Sequence, residues 1–131
     1  TRMGREVIAE MNRVGLVIDM SHSAERSTLE AIDLSRRPIA ITHANPAFWH
    51  PGKRNKSDTV LKALAARGGM LGLSLYPHHL KGGFACALDE FCTMVARTAV
   101  SELKSFISAR TASQIASSAR RTPAPMSFCR R

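Results

Sequence analysis

Several features that often guide the interpretation of a sequence are missing here. No apolar run approaches the roughly 18 residues that a membrane-spanning helix needs, so we expect no membrane span. The three cysteines are widely spaced and form no Cys-x-x-Cys pair, which argues against a zinc finger or a disulfide framework and favours reduced thiols. The segment Thr1–Glu6 has no apolar stretch typical of a secretory signal. This favours a cytoplasmic location and leaves the compartment unassigned.

Acidic residues are missing from the C-terminal part of the chain. The net charge is +9, and no Asp or Glu follows Glu102. From Ser105 onwards Ser, Thr, Ala, Arg and Pro predominate and no hydrophobic period survives. We therefore expect residues 101–131 to form a disordered basic tail. Its only aromatic residues are Phe106 and Phe128 and it carries no recognisable binding motif, so we expect no specific nucleic-acid partner.

Residues 1–100 alternate helical and strand patterns in the order α-β-α-β-α-β-α. Hydrophobic spacing predicts helices over residues 4–14, from a Ser23 N-cap to about 35, from a Ser57 N-cap to about 67, and over 87–98. Predicted strands are Leu16–Met20, which is apolar as if covered on both faces, Pro38–Thr42 and Met70–Leu75. This order predicts an α/β fold: a parallel sheet or a partial (β/α)₈ barrel with about three strands and four helices.

Two histidines follow successive predicted strands. His22 comes just after the first strand and His43 just after the second. Because the carboxyl ends of parallel neighbours lie at one edge of a sheet, we expect the two imidazoles to lie close together. Neutral imidazole is a common zinc ligand, and barrel enzymes place their sites at this edge. Spacing alone leaves a structural role and a shared metal about equally supported.

Other polar residues near this edge allow more than one interpretation. Arg54 lies in the loop after His43 and offers a bidentate fork for a carboxylate, or is a solvated loop arginine. Asp19 either orients a metal-bound histidine or binds the backbone amides of the next loop. Adjacent residues of an extended chain point in opposite directions, so we do not assign His78 and His79 as a metal pair.

Several stretches together resemble one known family. In chain order they are Gly4–Val7, Met11–Gly15, Ile18–His22, Ile41–His43, Arg54–Asn55 with Ser57–Asp58, and Gly68–Gly72. These motifs and the gaps between them resemble the membrane (renal-type) dipeptidases, peptidase family M19. The resemblance covers about residues 1–99.

The resemblance implies a (β/α)₈ barrel with a binuclear zinc site that hydrolyses dipeptides by metal-activated water. It implies that His22 and His43 are two ligands of one zinc, and that Arg54 holds the terminal carboxylate of the substrate. The family's His-x-Asp motif, bridging Glu and catalytic Gly-Thr-Asp stretch are not found in this chain. We therefore assign no catalytic residue, and interpret residues 1–100 as a central barrel fragment with at most one partial zinc site, inactive alone.

The start of the tail can be encoded by codons that give a different peptide in a shifted reading frame. Codons permitted for residues 102–111 can be chosen so that a shifted frame gives Ile-Glu-Val-Ile-His-Ile-Gly-Thr-Asp. This resembles a family strand that ends in Gly-Thr-Asp. We hypothesise a frameshift near Val100, which the nucleotide sequence would test.

A second hypothesis, from a different class, remains open. The chain would then be a small non-enzymatic α/β module whose basic tail binds an acidic partner. Bound metal after purification would favour the dipeptidase, with a small dipeptide as its substrate. The sequence predicts no oligomeric state.

Overall fold

The computed structural model describes residues 1–106. In chain order the elements are α1 (Arg2–Val14), α2 (Glu25–Leu34), β1 (Ala40–Ile41), α3 (Asp58–Ala66), β2 (Met70–Leu71) and α4 (Leu88–Phe106), with short 3₁₀ turns at Pro77–His79 and Gly83–Ala85. None of the helices in this range is both long and apolar enough to cross a membrane. Residues 101–106, expected to begin the disordered tail, belong to α4 instead. From residue 107 onwards the tail lies outside the described residues, and its predicted disorder and the frameshift stay predictions.

Three chain segments run side by side in the same direction. β1 and β2 pair in parallel. Asp19 adds one parallel bridge to Ala40. The Ala40 amide donates to the Ile18 carbonyl over 2.8 Å, and the Met20 amide donates to the Ala40 carbonyl over 2.9 Å. The carboxyl ends of all three segments therefore lie at one edge of the sheet, as the α/β prediction requires.

The segment predicted as the first strand contributes only this bridge. The Leu16 amide donates to the Met11 carbonyl over 2.9 Å and so closes the end of α1. Gly15 makes this possible by adopting a left-handed conformation, with φ at 82°. Leu16 and Val17 are 59% and 68% exposed, so the expectation of a strand covered on both faces is wrong. The Leu16 amide, which a longer strand would need for pairing, is bonded to the end of α1 instead.

A hydrophobic core lies between the sheet and helices α2 and α3. α3 follows its prediction, since the Ser57 hydroxyl accepts from the Val60 amide over 3.3 Å and caps the helix. Ile41 and Val60 are almost fully buried, which stabilises the fold by about 1.5–3 kcal/mol for each side chain. The buried members of this core are Ile18, Ala31, Ile32, Ile39, Ile41, Ala44, Val60 and Leu64.

Two helices differ from their predicted form. Ala24, not Ser23, precedes the first turn of α2, and no side chain caps it. The Ser23 hydroxyl instead contacts the sulfur of Met20 at 3.7 Å. α4 extends to Phe106, and it buries Met94, whereas Leu88 at its start is 76% exposed. The face of α4 that packs against α3 decides which of its apolar residues are buried.

β2 ends at a close approach that only glycine permits. A Cβ atom on Gly72 would lie 2.0 Å from the carbonyl oxygen of Thr42. The Gly72 amide donates to the Ile41 carbonyl over 2.7 Å, and the Ala44 amide donates to the Gly72 carbonyl over 3.0 Å. These bonds continue the parallel ladder on both sides of His43. The backbone that presents His43 is therefore held rigidly.

Candidate functional site

The two histidines singled out from the sequence lie side by side at the carboxyl edge of the sheet. His22 lies in a turn after the Asp19 bridge, and His43 is separated from the end of β1 by Thr42 alone. Their Nε2 atoms are 2.7 Å apart, and their ring planes are inclined by 55°. Both residues are exposed. The expected convergence of two imidazoles is present, whereas their role as metal ligands stays a prediction.

Asp19 ties together the residues that precede both histidines. Its Oδ1 accepts hydrogen bonds from the Ser21 amide over 2.9 Å, the Ser21 hydroxyl over 2.5 Å and the Thr42 amide over 3.2 Å. Its Oδ2 accepts from the Thr42 hydroxyl over 2.6 Å. Burial opposes ionisation, but these bonds outweigh it and hold the pKa of Asp19 well below its ordinary value. Of the two roles considered for Asp19, the structure shows the binding of backbone amides.

A continuous set of contacts links Asp19 to Arg54 through both imidazoles. Beyond Asp19, Thr42 Oγ1 lies 2.9 Å from His43 Nδ1. At the other end, the Arg54 guanidinium contacts Nδ1 of His22. Partial desolvation, and then the positive charge of Arg54, hold the pKa of His22 below its ordinary value. His22 therefore favours its neutral form, the form in which an imidazole can ligate a metal.

Lys56 joins the loop that carries Arg54 to the turn that carries His22. Lys56 is only 5% exposed, and its ammonium donates to the carbonyls of Met20 and Ser23 over 3.1 and 2.9 Å. Burial, and then the charge of Arg54, lower the pKa of Lys56. Two backbone bonds fix the loop itself: the Lys56 amide donates to the Asn45 carbonyl, and the Ala47 amide donates to the Lys56 carbonyl.

A buried polar cluster supports the opposite wall of the site. Asn45 is fully buried, and its side chain donates to the carbonyls of Ser74 and His79 and accepts from the Ser74 amide. Asn55 also donates to the His79 carbonyl, over 3.0 Å. The His79 ring is buried against the Ser74 hydroxyl, and burial lowers its pKa. The chain at His78 and His79 forms a 3₁₀ turn, so the extended geometry expected there is wrong.

An open cavity of about 570 Å³ lies between the histidine pair and this polar cluster. The two histidines and Arg54 line one part of it, and Tyr76 and His78 line another. The Tyr76 and His78 rings lie 5.2 Å apart. The cavity therefore combines two imidazoles, a guanidinium and an aromatic wall, and its size suits a small polar ligand with an apolar side chain.

The two imidazoles fit part of a metal site. Two Nε2 atoms bound to one tetrahedral zinc lie about 3.3 Å apart, since each Zn–N bond is about 2.0–2.1 Å long. A small ring rotation would bring the Nε2 atoms of His22 and His43 from 2.7 Å to that separation. Within residues 1–106, no group of three or more His, Cys, Asp or Glu side chains is placed to hold an ion. The described residues therefore offer two candidate ligands and not a complete set.

Sequence reasoning missed several residues that shape the site. Thr42, Lys56 and Asn45 attracted no functional prediction, yet each makes hydrogen bonds that position a predicted site residue or its loop. One signal was available for Asn45 and Lys56: both lie in a long polar loop immediately after a strand, where buried polar side chains are needed to satisfy backbone groups. For Thr42, its position between a buried strand and His43 was the only indication.

Imidazoles that converge at the carboxyl ends of parallel strands, beside a guanidinium, are typical of metal-dependent hydrolases with a β/α-barrel fold. The family model for membrane dipeptidases (peptidase family M19) matches residues 1–119. The chain belongs to this family, as the motifs in its sequence indicated.

Individual relatives agree with this assignment. Dipeptidase tcpJ of Claviceps purpurea is 35% identical over 74 residues, which are 56% of this chain and 17% of that protein. An amidohydrolase from Pseudomonas aeruginosa superposes with a TM-score of 0.73 and 34% identity, covering 76% of this chain and 30% of that one. A metallo peptidase from Rhodobacter sphaeroides, liganded with a phosphinate mimic of the dipeptide L-Ala-D-Ala, has a TM-score of 0.71 and 25% identity, with coverages of 78% and 30%.

The chain spans less than a third of each of these relatives. The fold is therefore a partial α/β unit that matches part of a TIM-barrel-like structure. The expectation of a partial barrel is confirmed at this level. The comparisons do not support the alternative of a non-enzymatic module.

Proposed function

We propose that this chain forms one part of the active site of a zinc-dependent dipeptidase. His22 and His43 would hold one zinc ion through their Nε2 atoms, and Arg54 would bind the terminal carboxylate of a dipeptide. Two imidazole nitrogens 2.7 Å apart at the carboxyl edge of a parallel sheet are the observation that carries this proposal. Membership of a metallopeptidase family supports the choice of a metal.

The chain's own residues would prepare substrate and metal for reaction. When bound, zinc supplies a Lewis acid and a water of lowered pKa. The guanidinium of Arg54 presents paired donors that match a carboxylate in geometry and charge. In the structure Arg54 contacts His22 Nδ1, so it must leave that nitrogen to grip a substrate. Lys56 limits this movement, because it ties the loop carrying Arg54 to the turn of His22.

The chain by itself is expected to bind metal without hydrolysing dipeptides. Catalytic zinc is generally held by three protein ligands, and the described residues bring together only two. Metal binding and catalysis are therefore separable in this chain. Release of free amino acids from a dipeptide by the isolated chain would contradict this part of the proposal.

A zinc titration of the 131-residue chain, followed through the side-chain ¹⁵N signals of its histidines, tests the metal site. The Nε2 signals of His22 and His43 should change together. Either His22→Ala or His43→Ala should abolish the change in the remaining partner, whereas the control His50→Ala should leave it intact. Equal changes at all histidines, or unaltered zinc binding in both variants, would overturn the assignment.

A titration with the phosphinate mimic of L-Ala-D-Ala, in the presence of zinc, tests the carboxylate site. The Nε signal of Arg54 should shift, and Arg54→Lys should weaken binding because an ammonium cannot form the paired contact. Lys62→Ala, which removes an exposed cation of α3 outside the cavity, is the control and should bind as the parent does. Binding that is unchanged in Arg54→Lys would exclude the proposed role of Arg54.

A further inference from the structure

The hydroxyl of Thr42 lies between the carboxylate of Asp19 and the imidazole of the predicted metal ligand His43, and it contacts both. Its Oγ1 lies 2.6 Å from Asp19 Oδ2 and 2.9 Å from His43 Nδ1. A threonine hydroxyl has a single proton to donate. A carboxylate can only accept, so the proton of Thr42 points to Asp19. Towards His43 the same oxygen can then act only as an acceptor.

This arrangement determines where the proton of neutral His43 lies. Because Thr42 Oγ1 accepts from the ring, Nδ1 carries the proton. Nε2 is left with a free lone pair, and it faces Nε2 of His22. Free neutral histidine favours the opposite tautomer, with the proton on Nε2. The contact with Thr42 therefore selects the tautomer that a metal ligand at Nε2 requires.

We propose that Asp19 and Thr42 form a positioning relay that fixes the tautomer and orientation of His43 before any metal binds. The metal-binding consequence rests on the proposed function, but the tautomer itself does not. Asp19 acts through Thr42 and does not touch the imidazole, which distinguishes this relay from a direct carboxylate–histidine pair. The backbone supports it, since the Thr42 amide is held by Ser21 Oγ over 2.8 Å.

The two histidines are then unequal in the metal-free chain. His22 donates from Nε2 to the free Nε2 of His43, and it receives Arg54 at Nδ1. His22 thus holds the tautomer that cannot ligate through Nε2. His43 is prepared for the metal, whereas His22 must exchange its proton between its two nitrogens when the metal arrives.

The test measures histidine tautomers by long-range ¹H–¹⁵N correlation in the ¹⁵N-labelled 131-residue chain. Metal is removed with a chelator, the pH is held where histidine is neutral, and His43→Gln identifies the His43 signals. We expect a protonated Nδ1 and an unprotonated Nε2 for His43, and the reverse for His22. An Nε2-protonated His43 in the parent chain would overturn the proposal without any variant.

Two substitutions at one position separate the hydroxyl from the packing of the side chain. Thr42→Val keeps the shape and loses the hydroxyl, so His43 should shift towards the Nε2–H tautomer. Thr42→Ser keeps the hydroxyl and should preserve the parent tautomer. Retention of the Nδ1–H form in Thr42→Val, or its loss in Thr42→Ser with the fold intact by amide signals, would exclude the relay.

Zinc affinity is the second readout. If His22 and His43 share a zinc, Thr42→Val should weaken zinc binding about 10–100-fold, as is typical when the outer partner of a ligating histidine is removed. Thr42→Ser should bind zinc as the parent does. If the parent chain shows the expected tautomers but binds no zinc, the relay stands and the proposed metal site fails.

Discussion

The two histidines of the site are presented by segments of very different rigidity. His43 continues a paired strand between Ile41 and Ala44, both fully buried, and its neighbour Thr42 is fixed from behind by Asp19. His22 lies in a turn after a single bridge. That turn is held by side chains, chiefly by Lys56. The ring of His22 contacts the side chain of Arg54. The position of His43 is therefore fixed by the fold, and that of His22 depends on a few polar contacts.

The difference shows how one sheet edge can hold one imidazole in a fixed position and leave its neighbour adjustable. Strand pairing fixes a backbone because each residue is held by hydrogen bonds on both sides and by buried neighbours. A turn held by side chains can move when those contacts change. Removing a support should therefore affect folding on the His43 side and local order on the His22 side.

The largest effect is expected from Gly72→Ala, which attacks the support of His43. The new methyl group would meet the Thr42 carbonyl at 2.0 Å, and a paired backbone cannot yield. We expect a loss of about 3 kcal/mol in the free energy of unfolding, measured by denaturant titration. Gly52→Ala is the matched control, because nothing lies within 4 Å of its Cβ position. Equal stability of both variants would show that the β2 end is not rigid.

Lys56→Met removes the main support of the His22 turn while keeping the length of the side chain. The carbonyls of Met20 and Ser23 would lose their buried donor, at a cost of about 2 kcal/mol. Amide exchange should increase at residues 21–23 and remain slow around Ile41. Lys62→Met, at an exposed position of α3, should change stability by less than about 0.5 kcal/mol. A global increase in exchange would mean that the two supports are not separate.

Lowering the pH should destabilise the folded chain through His79, which lies in the buried polar cluster around Asn45. Burial, and then the charge of His43, lower the pKa of His79 from 6.5 in the folded chain. The unfolded chain therefore takes up this proton at a higher pH, so the free energy of unfolding falls as the pH drops below 6.5 and levels off below the folded-state pKa. His79→Gln should reduce this slope in denaturant titrations at several pH values. An unchanged slope in His79→Gln, or the same reduction in the exposed control His78→Gln, would contradict it.

The smallest effect on stability is expected from Arg54→Met. Arg54 is exposed, so the free energy of unfolding should change by less than about 0.5 kcal/mol. The local effect is specific: His22 loses the positive charge of Arg54 at Nδ1, so the pKa of His22, followed by its ring ¹⁵N shifts, should rise while the tautomer of His43 stays the same. Lys53→Met should alter neither. A simultaneous change at His43 would show that the two imidazoles act as one unit.

The site was predictable where it follows from strand direction. Two histidines after successive parallel strands must meet at one edge, and the structure places them in contact. The partners of the supporting side chains were not predictable, because Lys56 and Asn45 bind backbone carbonyls that are distant in sequence. Nothing in the local sequence indicates which carbonyls a folded loop leaves without a donor.

The sequence by itself determined the alternation of helices and strands, the Ser57 cap, the family, and the pairing of His22 with His43. These follow from hydrophobic period, from one local hydrogen bond and from motifs in order. Only the tertiary structure decided that the first strand shrinks to a bridge, that α4 buries Met94, and that Thr42 links Asp19 to His43. Such features depend on which surfaces pack together and which polar atoms that packing brings within hydrogen-bond distance, and a linear pattern does not encode either.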